Sequence, residues 1–260
     1  MTEALITRLK RWAELSPPEE EALRTLPGEL AVFARGDHPL RGTYEPGCTM
    51  LMVDGWAARY KDTVNGRRVI IEIMLPGDMT VWSPHQDPGL ETVMVAGGSV
   101  LFVAPQAMEA LRAHPAIRHG LEWIAKIREA IFAEWLVNIA SRKAYARLAH
   151  LLCELSARMN SVGLLDHGEC ELPLTQVDLA NALAMTNVHL NLALQRLRSA
   201  KLVKVSGKRL IILDRRELEA IADFDDQYLL RWPTELPDRR NQPRAQPVKE
   251  ERRKKPWRLW

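Results

Sequence analysis

Cysteine is scarce in this chain. Cys48, Cys153 and Cys170 are the three among 260 residues, too few and too scattered for a disulfide framework and one short of the four thiolates that hold an iron–sulfur cluster. They fit a reducing compartment. Long apolar runs are also missing, and no stretch approaches the roughly 20 residues needed to cross a bilayer. The opening MTEALITRLKRWAELSPPEEE mixes acidic residues into an amphipathic pattern. It lacks the basic start, apolar middle and small-residue cleavage site of a signal peptide. A cytoplasmic protein without membrane contact is expected. Catalytic signatures are equally absent: there is no GxSxG, Walker or GxGxxG loop and no His-x-His pair. Between residues 28 and 104 histidine occurs only at His38 and His85, too little for the clustered ligands of a metal oxygenase. The chain is expected not to be an enzyme.

What is present is unevenly spread. The formal net charge is +3, yet residues 1–140 carry 14 Lys/Arg against 18 Asp/Glu, while residues 141–216 carry 12 against 6 and residues 231–260 carry 10 against 4. Basic charge gathered into one middle segment and one tail is the footprint of a nucleic-acid partner. Solvated surface with a disordered tail would give the same count.

The texture changes along the chain. Residues 1–26 read as one or two short helices, with Ser16 capping the start Ser16-Pro17-Pro18-Glu19. From about 28 to 104, short β-branched and aromatic runs alternate with Gly, Pro, Asn and Asp, the pattern of an antiparallel barrel or jelly roll. Asn65-Gly66 is its strongest hairpin signal, suited to a type I′ turn. Beyond His114-Pro115 the period becomes helical. Ile117, Leu121, Ile124, Ile127, Ile131 and Trp135 recur at three- and four-residue steps, with no Gly or Pro after Gly120. So long an apolar face predicts a seam between two copies, packing onto the chain's own barrel being the alternative. A second helix follows in SRKAYARLAHLLCELSARMN, with Ser141 as its expected cap.

Residues 175–199 read as two short helices that turn on each other. Leu179 and Leu183 can close a core with Leu190, Leu194 and Leu197, and Thr186 caps a second helix beginning at Asn187. A hairpin around Ser206-Gly207-Lys208 and a last helix, RRELEAIADFDDQYL, complete the pattern. From Trp232 the chain is rich in Pro and charge and is expected to be disordered.

Three separated stretches carry a family resemblance: DGWAARYKDTVNGRRVIIEIMLPGDM, RKAYARLAHLLCEL and LPLTQVDLANALAMTNVHLNLALQRLRSAKLV. They resemble, in the same order, the Crp/Fnr family of bacterial transcription regulators, over about residues 1 to 230. The resemblance implies an α+β fold: an N-terminal antiparallel β jelly-roll or barrel like a cyclic-nucleotide-binding domain (1–114), a dimerisation helix (115–140), a winged helix–turn–helix (141–230) and a basic tail (231–260). It implies a homodimer joined along that helix, through Ile117, Leu121, Ile124, Ile127, Ile131 and Trp135. Double-stranded DNA bearing an inverted repeat is the implied partner, with RNA polymerase a further one. Carried over by position, Asn187, Val188, Asn191 and Leu192 face base edges, and Thr175, Gln176 and His189 approach the backbone or groove wall. Arg142, Lys143, Arg196, Arg198, Lys208 and Arg209 are the phosphate-contact candidates.

The departures matter as much. Family members commonly hold arginine where Leu192 stands, and leucine cannot pair with guanine O6 and N7. Val188 and Leu192, four apart, could instead contact thymine methyls while Asn187 or Asn191 reads adenine. Alternatively this surface serves a protein partner. Ala184 occupies a turn position where glycine is frequent, so a positive φ there would be mildly strained.

On the effector side, Gly77 and Asp78 stand where the resemblance implies a phosphate cassette, and Trp82 and Trp123 could line an apolar pocket, core packing being the other use of these tryptophans. No arginine occurs from 69 to 111, which argues against cyclic AMP, since a buried phosphate would be poorly compensated. Haem and iron–sulfur clusters have no ligand set, and no cofactor is expected. His150-x-x-Cys153 and His167-x-x-Cys170 have zinc-like spacing, but Cys153 also reads as a core residue, and no metal is expected. The tail could add sequence-independent DNA affinity, aid solubility or dock Trp257 and Trp260 on a partner.

Overall fold

A computed structural model of the chain describes residues 2–42, 44–83, 89–166 and 168–230. The expectations for the tail, for His85 and for His167 fall outside the described residues.

Two short helices come first, α1 (Glu3–Leu9) and α2 (Pro17–Arg24). The start of α2 is a capping box: Ser16 and Glu19 bond reciprocally, with prolines at the first two positions. Seven strands follow: β1 (Glu29–Phe33), β2 (Thr49–Met52), β3 (Trp56–Asp62), β4 (Arg68–Met74), β5 (Met79–Val81), β6 (Glu91–Ala96) and β7 (Gly98–Val103). They form two antiparallel sheets, in the orders β1-β7-β2-β5 and β4-β3-β6. Each sheet turns alternate apolar side chains inward, and Met50, Met52, Met74, Met94, Val100 and Phe102 fill the space between them. The expected jelly-roll layout is present. The Asn65-Gly66 hairpin also forms, but with different turn chemistry. Asp62 pairs with Arg68, Thr63 bonds Arg67, and only Gly66 takes a positive φ, of 73°. This is a three-residue loop closed by a left-handed glycine rather than a two-residue type I′ turn.

Helix α3 (Pro105–Arg112) leads into α4 (Pro115–Ser141), 27 residues long. Its inward face is Ile117, Gly120, Ile124, Ile127, Ile131, Trp135 and Asn138. Helix α1 crosses at Gly120, where a Cβ would meet Leu9 at 2.6 Å, so that close approach requires glycine. The upper part of α4 shares a core with α1, α2 and β7, and the lower part packs with β3, β4 and α5 (Ala144–Ser161). Ile117, Ile124, Ile127, Ile131 and Trp135, expected as a seam between copies, are therefore covered by their own chain. Leu121 is half-buried at the edge of the same face. The reason is geometric: the barrel, α1 and α5 together cover more of the helix than one neighbour could. Its exposed stripe is Phe132, Leu136 and Val137, at 56 %, 63 % and 47 %.

Ser141 proves to be the last residue of α4, and Lys143 holds the cap position of α5. Beyond α5 lie β8 (Glu169–Glu171), α6 (Gln176–Ala182), α7 (Asn187–Ser199), β9 (Val203–Ser206), β10 (Arg209–Ile212), α8 (Arg215–Ala222) and α9 (Gln227–Leu230). The third sheet has the order β8-β10-β9. The expected single last helix is broken in two at Asp223, which is left-handed with φ 48°. Residues 1–230 make one compact unit, and among the described residues no helix is long and apolar enough to cross a membrane.

Candidate nucleic-acid interface and barrel cavity

The helix pair is built by its caps. Thr175 accepts from the backbone N–H of Asp178 at 3.1 Å, and the Asp178 carboxylate accepts from the Thr175 backbone at 2.8 Å and from its hydroxyl at 2.7 Å. This reciprocal box opens α6. Asp178 Oδ2 also takes a 2.7 Å hydrogen bond from Arg35, whose guanidinium reaches across from the loop after β1 and donates to the Pro173 carbonyl at 3.1 Å. Between the helices Ala184 takes a left-handed φ of 52°, as the sequence suggested. Thr186 then caps α7, accepting from His189 N–H at 3.3 Å.

Helix α7 is cleanly divided. Leu190, Ala193, Leu194 and Leu197 are buried against α5 and α6. On the outer side Val188 is 68 % and Leu192 59 % exposed. Asn187 and His189 are exposed and Asn191 half-buried beside them. Thr175 and Gln176 are exposed at the start of α6. The four residues expected to face base edges thus share the outer face of one helix.

The basic surround is partly committed to internal contacts. Arg196 lies over the Tyr145 ring at 3.9 Å, and Arg198 donates to the Val205 carbonyl at 2.8 Å, bracing α7 to the wing. Lys143 is exposed, as are Lys208 and Arg209 at the wing tip beside Gly207, and Arg209 pairs with Glu169. Arg142 departs from expectation. Its side chain is only 10 % exposed, it donates to the Asp223 carbonyl at 3.0 Å, and Glu134 lies 3.6 Å away. The break between α4 and α5 turns this guanidinium inward, where Nη2 meets carbonyl and carboxylate oxygens while Nε and Nη1 find no hydrogen bond among the described residues, so it does not present to phosphate.

The barrel side rearranges the expected effector residues. Gly77 turns the chain against α1, and Asp78 is buried, accepting from Arg8, from Arg158 at 2.8 Å and from the Leu75 backbone at 2.7 Å. Burial alone would raise the Asp78 carboxyl; the two guanidiniums outweigh it and hold it below its ordinary value. Arg158 continues to Glu154 at 3.3 Å, and that carboxylate accepts from Trp135 at 3.0 Å and Tyr228 at 2.9 Å. One buried polar chain therefore joins α1, the β4–β5 turn, α4, α5 and α9. A signal for it was present in LAHLLCELSARMN, where Glu154 and Arg158 stand one turn apart as the two formally charged residues of a largely apolar stretch.

Trp82 and Trp123 do not converge. Trp82 packs edge-on to Tyr44 at 6.3 Å, and Trp123 stacks on Trp12 at 5.4 Å. Instead a cavity of about 560 Å³ opens between the barrel and α4, with Asp78 in its wall. The segment 69–111 contributes no arginine to it, as read, but the fold supplies guanidiniums from elsewhere: Arg59 on β3 and Arg128 on α4. Both donate to the same oxygen of Glu72, Oε2, at 2.9 and 2.6 Å. Burial pushes the Glu72 carboxyl up to about 7 against the pull of Arg59, with Asp78 adding to the rise. Sequence reading missed this trio because its members lie on three elements. Among the described residues no group of three His, Cys, Asp or Glu side chains gathers as a metal site, and His150 and Cys153 are both buried.

Comparison with known proteins bears on both halves. Residues 146–221 match the model of the Crp-like helix-turn-helix domain, a DNA-binding module and not an enzyme. No curated protein sequence matches the chain. Among solved structures, FixK2 from Bradyrhizobium japonicum is 20 % identical with a TM-score of 0.65, over 75 % of this chain and 98 % of that one. TTHB099, a transcriptional regulator of the CRP family from Thermus thermophilus, is 19 % identical with a TM-score of 0.57, over 75 % and 97 %. The c-di-GMP responsive regulator CLP of Xanthomonas campestris is 11 % identical with a TM-score of 0.55, over 76 % and 100 %. At these identities the likeness is one of fold. The expected resemblance therefore stands: residues 146–221 are a Crp-like helix–turn–helix domain, within a chain that has the fold of Crp/Fnr transcription regulators.

Proposed function

We propose that this chain is a sequence-specific DNA-binding transcription regulator that acts as a homodimer on an inverted repeat. It divides into a sensing barrel (1–114), a dimer helix (115–140) and a winged helix–turn–helix (141–230). The observation that carries the reading is the outer face of α7, where Asn187, Val188, Asn191 and Leu192 stand together with the capped start of α6 beside them. Asn187 or Asn191 reads adenine, and Val188 and Leu192 meet thymine methyl groups. Thr175, Gln176 and His189 approach the groove wall, and Lys143, Lys208 and Arg209 contact phosphate, with Arg196 and Arg198 flanking them. The dimer seam is the exposed stripe of α4 around Phe132, Leu136 and Val137, since the opposite face is already occupied. The barrel takes an effector other than cyclic AMP, and the regulator works in the cytoplasm, in contact with RNA polymerase.

The decisive experiment is selection of bound fragments from a random DNA pool. An enriched inverted repeat, with half-sites about one helical turn apart, is the expected result. Salt-sensitive binding without enrichment overturns it and favours a second reading, in which exposed Val177, Val188 and Leu192 dock a protein partner.

A further inference from the structure

The cavity between the barrel and α4 has the size of a small-molecule site. Most of its wall is apolar, with Ile71, Met79, Leu121, Ile124 and Phe132 among the lining residues. Its charged corner is one carboxylate held by two cations. Arg59 and Arg128 both donate to Oε2 of Glu72, and Oε1 takes no hydrogen bond among the described residues. Arg128 comes from α4, its side chain is 35 % exposed, and its second nitrogen makes only a long 3.4 Å contact with the Met79 carbonyl. It is the cavity cation that stands beside Glu72 with donor capacity to spare, while Arg112, also in the wall, is 46 % exposed and lies 3.9 Å from Glu109. Around Glu72 the remaining charged groups are Asp78 from the β4–β5 turn, Arg158 from α5 and Arg8 from α1, and Asp78 accepts from both arginines; the exposed Glu129 of α4 also lines the cavity.

From this geometry we infer that the cavity binds a small organic acid, its carboxylate received by Arg128 beside Glu72, its apolar body lying along Ile71, Ile124 and Phe132. The inference rests on reading the barrel as a sensor, and it adds the ligand's chemical class. A carboxylate suits the corner because Arg128 offers charge-assisted donors. Glu72, pushed up to about 7, can hold the proton that turns an opposing carboxylate into a donor. An apolar body suits the rest because it displaces water from a wall with few partners for it. Leu121, Ile124, Arg128 and Phe132 all belong to α4, so an occupied cavity bears directly on the helix that carries the proposed dimer seam.

Calorimetry on the full chain without DNA tests this with octanoate, the uncharged octanamide and the cationic octylamine as probes, and cyclic AMP as a comparison. Octanoate is expected to bind, at least about tenfold more tightly than octanamide or octylamine. Arg128→Met should abolish that preference while thermal unfolding stays cooperative. Ala125→Trp, which fills the cavity mouth from an exposed position, should reduce all octanoate binding. Octanoate affinity should fall as pH rises through about 7, and Glu72→Gln should keep the binding but flatten that dependence. Equal binding of the three probes, full octanoate affinity in Arg128→Met, preference for cyclic AMP, or no octanoate binding at millimolar concentration each overturns the inference. DNA plays no part in this measurement, so a failed operator selection leaves it standing, and a failed titration leaves the DNA reading intact.

Discussion

Arg35, in the barrel, donates a 2.7 Å hydrogen bond to Asp178, the residue that closes the capping box of the first helix of the helix–turn–helix. One carboxylate therefore starts helix α6 and ties it to the barrel. The two roles have different weights. The Arg35 side chain is 42 % and that of Asp178 17 % exposed, so the ion pair itself contributes little, although Arg35 also donates to the Val95 and Pro173 carbonyls. Arg35→Lys, which keeps a charge near Asp178 but loses the fork to the Val95 and Pro173 carbonyls, should cost about 1 kcal/mol, whereas Asp178→Ala, which also removes the cap, should cost about 1–2 kcal/mol. Urea unfolding of both variants checks this, and an equal loss in the two would place the energy in the contacts of Arg35 rather than in the cap.

Leu192 decides base preference in the proposed regulator. Replacing it with arginine supplies the bidentate donor that leucine lacks. Leu192→Arg should move preference toward guanine at one symmetric pair of operator positions, by about 1–3 kcal/mol. Competition binding with single-position variants of the selected site reads the change. A uniform gain across all positions would mean that the new charge meets phosphate alone.

The proposed dimer seam is testable at Leu136, which is 63 % exposed. A carboxylate there would be desolvated by a partner helix but not by the chain's own fold. Leu136→Glu should leave thermal stability of the protomer nearly unchanged and shift sedimentation from dimer to monomer. Unchanged sedimentation would move the seam off α4.

Ala184 carries a left-handed φ of 52° in the turn between α6 and α7. A side chain there costs about 1–2 kcal/mol, partly offset in glycine by the greater entropy of its unfolded chain. Ala184→Gly is expected to stabilise by about 0.5–1 kcal/mol, measured as a higher urea midpoint at constant slope. A loss of stability would show that the methyl group's packing outweighs the strain.

His150 gives the helical half an acid-sensitive point. It is 1 % exposed, lies between Phe224 and Tyr228, and neither ring nitrogen finds a hydrogen bond among the described residues. Burial, reinforced by Arg142, lowers its pKa to about 4, and Oε2 of Glu134 lies 3.6 Å from both His150 and Arg142. The folded state holds this histidine neutral, so its contribution is complete above about pH 6.5 and is lost as pH falls toward 4. The loss amounts to about 3 kcal/mol. Glu72 acts in the opposite sense: its raised pKa adds stability as pH falls from about 7 toward 4.5. The comparison is therefore between wild type and His150→Leu. Unfolding at pH 7 and pH 4.5 should show a smaller acid loss in the variant, and identical losses would exclude His150 as the cause.

Local chemistry made much of this molecule legible. Ser16 and Thr186 were readable as caps because capping needs only a side-chain oxygen three residues from a free N–H. The strained Ala184 and the divided face of α7 follow from residues in one short window. Longer-range decisions were not readable. Ser141 looks like a cap, yet α4 runs through it because Asn138 and Trp135 are already fixed in the core below.

The sequence by itself determined most of the elements, though not the break at Asp223 or the end of α4, together with the apolar stripe of α4 and the outward-facing Val188 and Leu192, since each depends on periodicities of 2 or 3.6 residues within one element. Tertiary structure decided which way that stripe faces. The barrel, α1 and α5 close over Ile124, Ile127 and Ile131, which leaves Phe132, Leu136 and Val137 exposed. It also decided where charge gathers. Arg59, Glu72 and Arg128 come from β3, β4 and α4, and no pattern along the chain brings together groups that only sheet pairing and helix packing make neighbours.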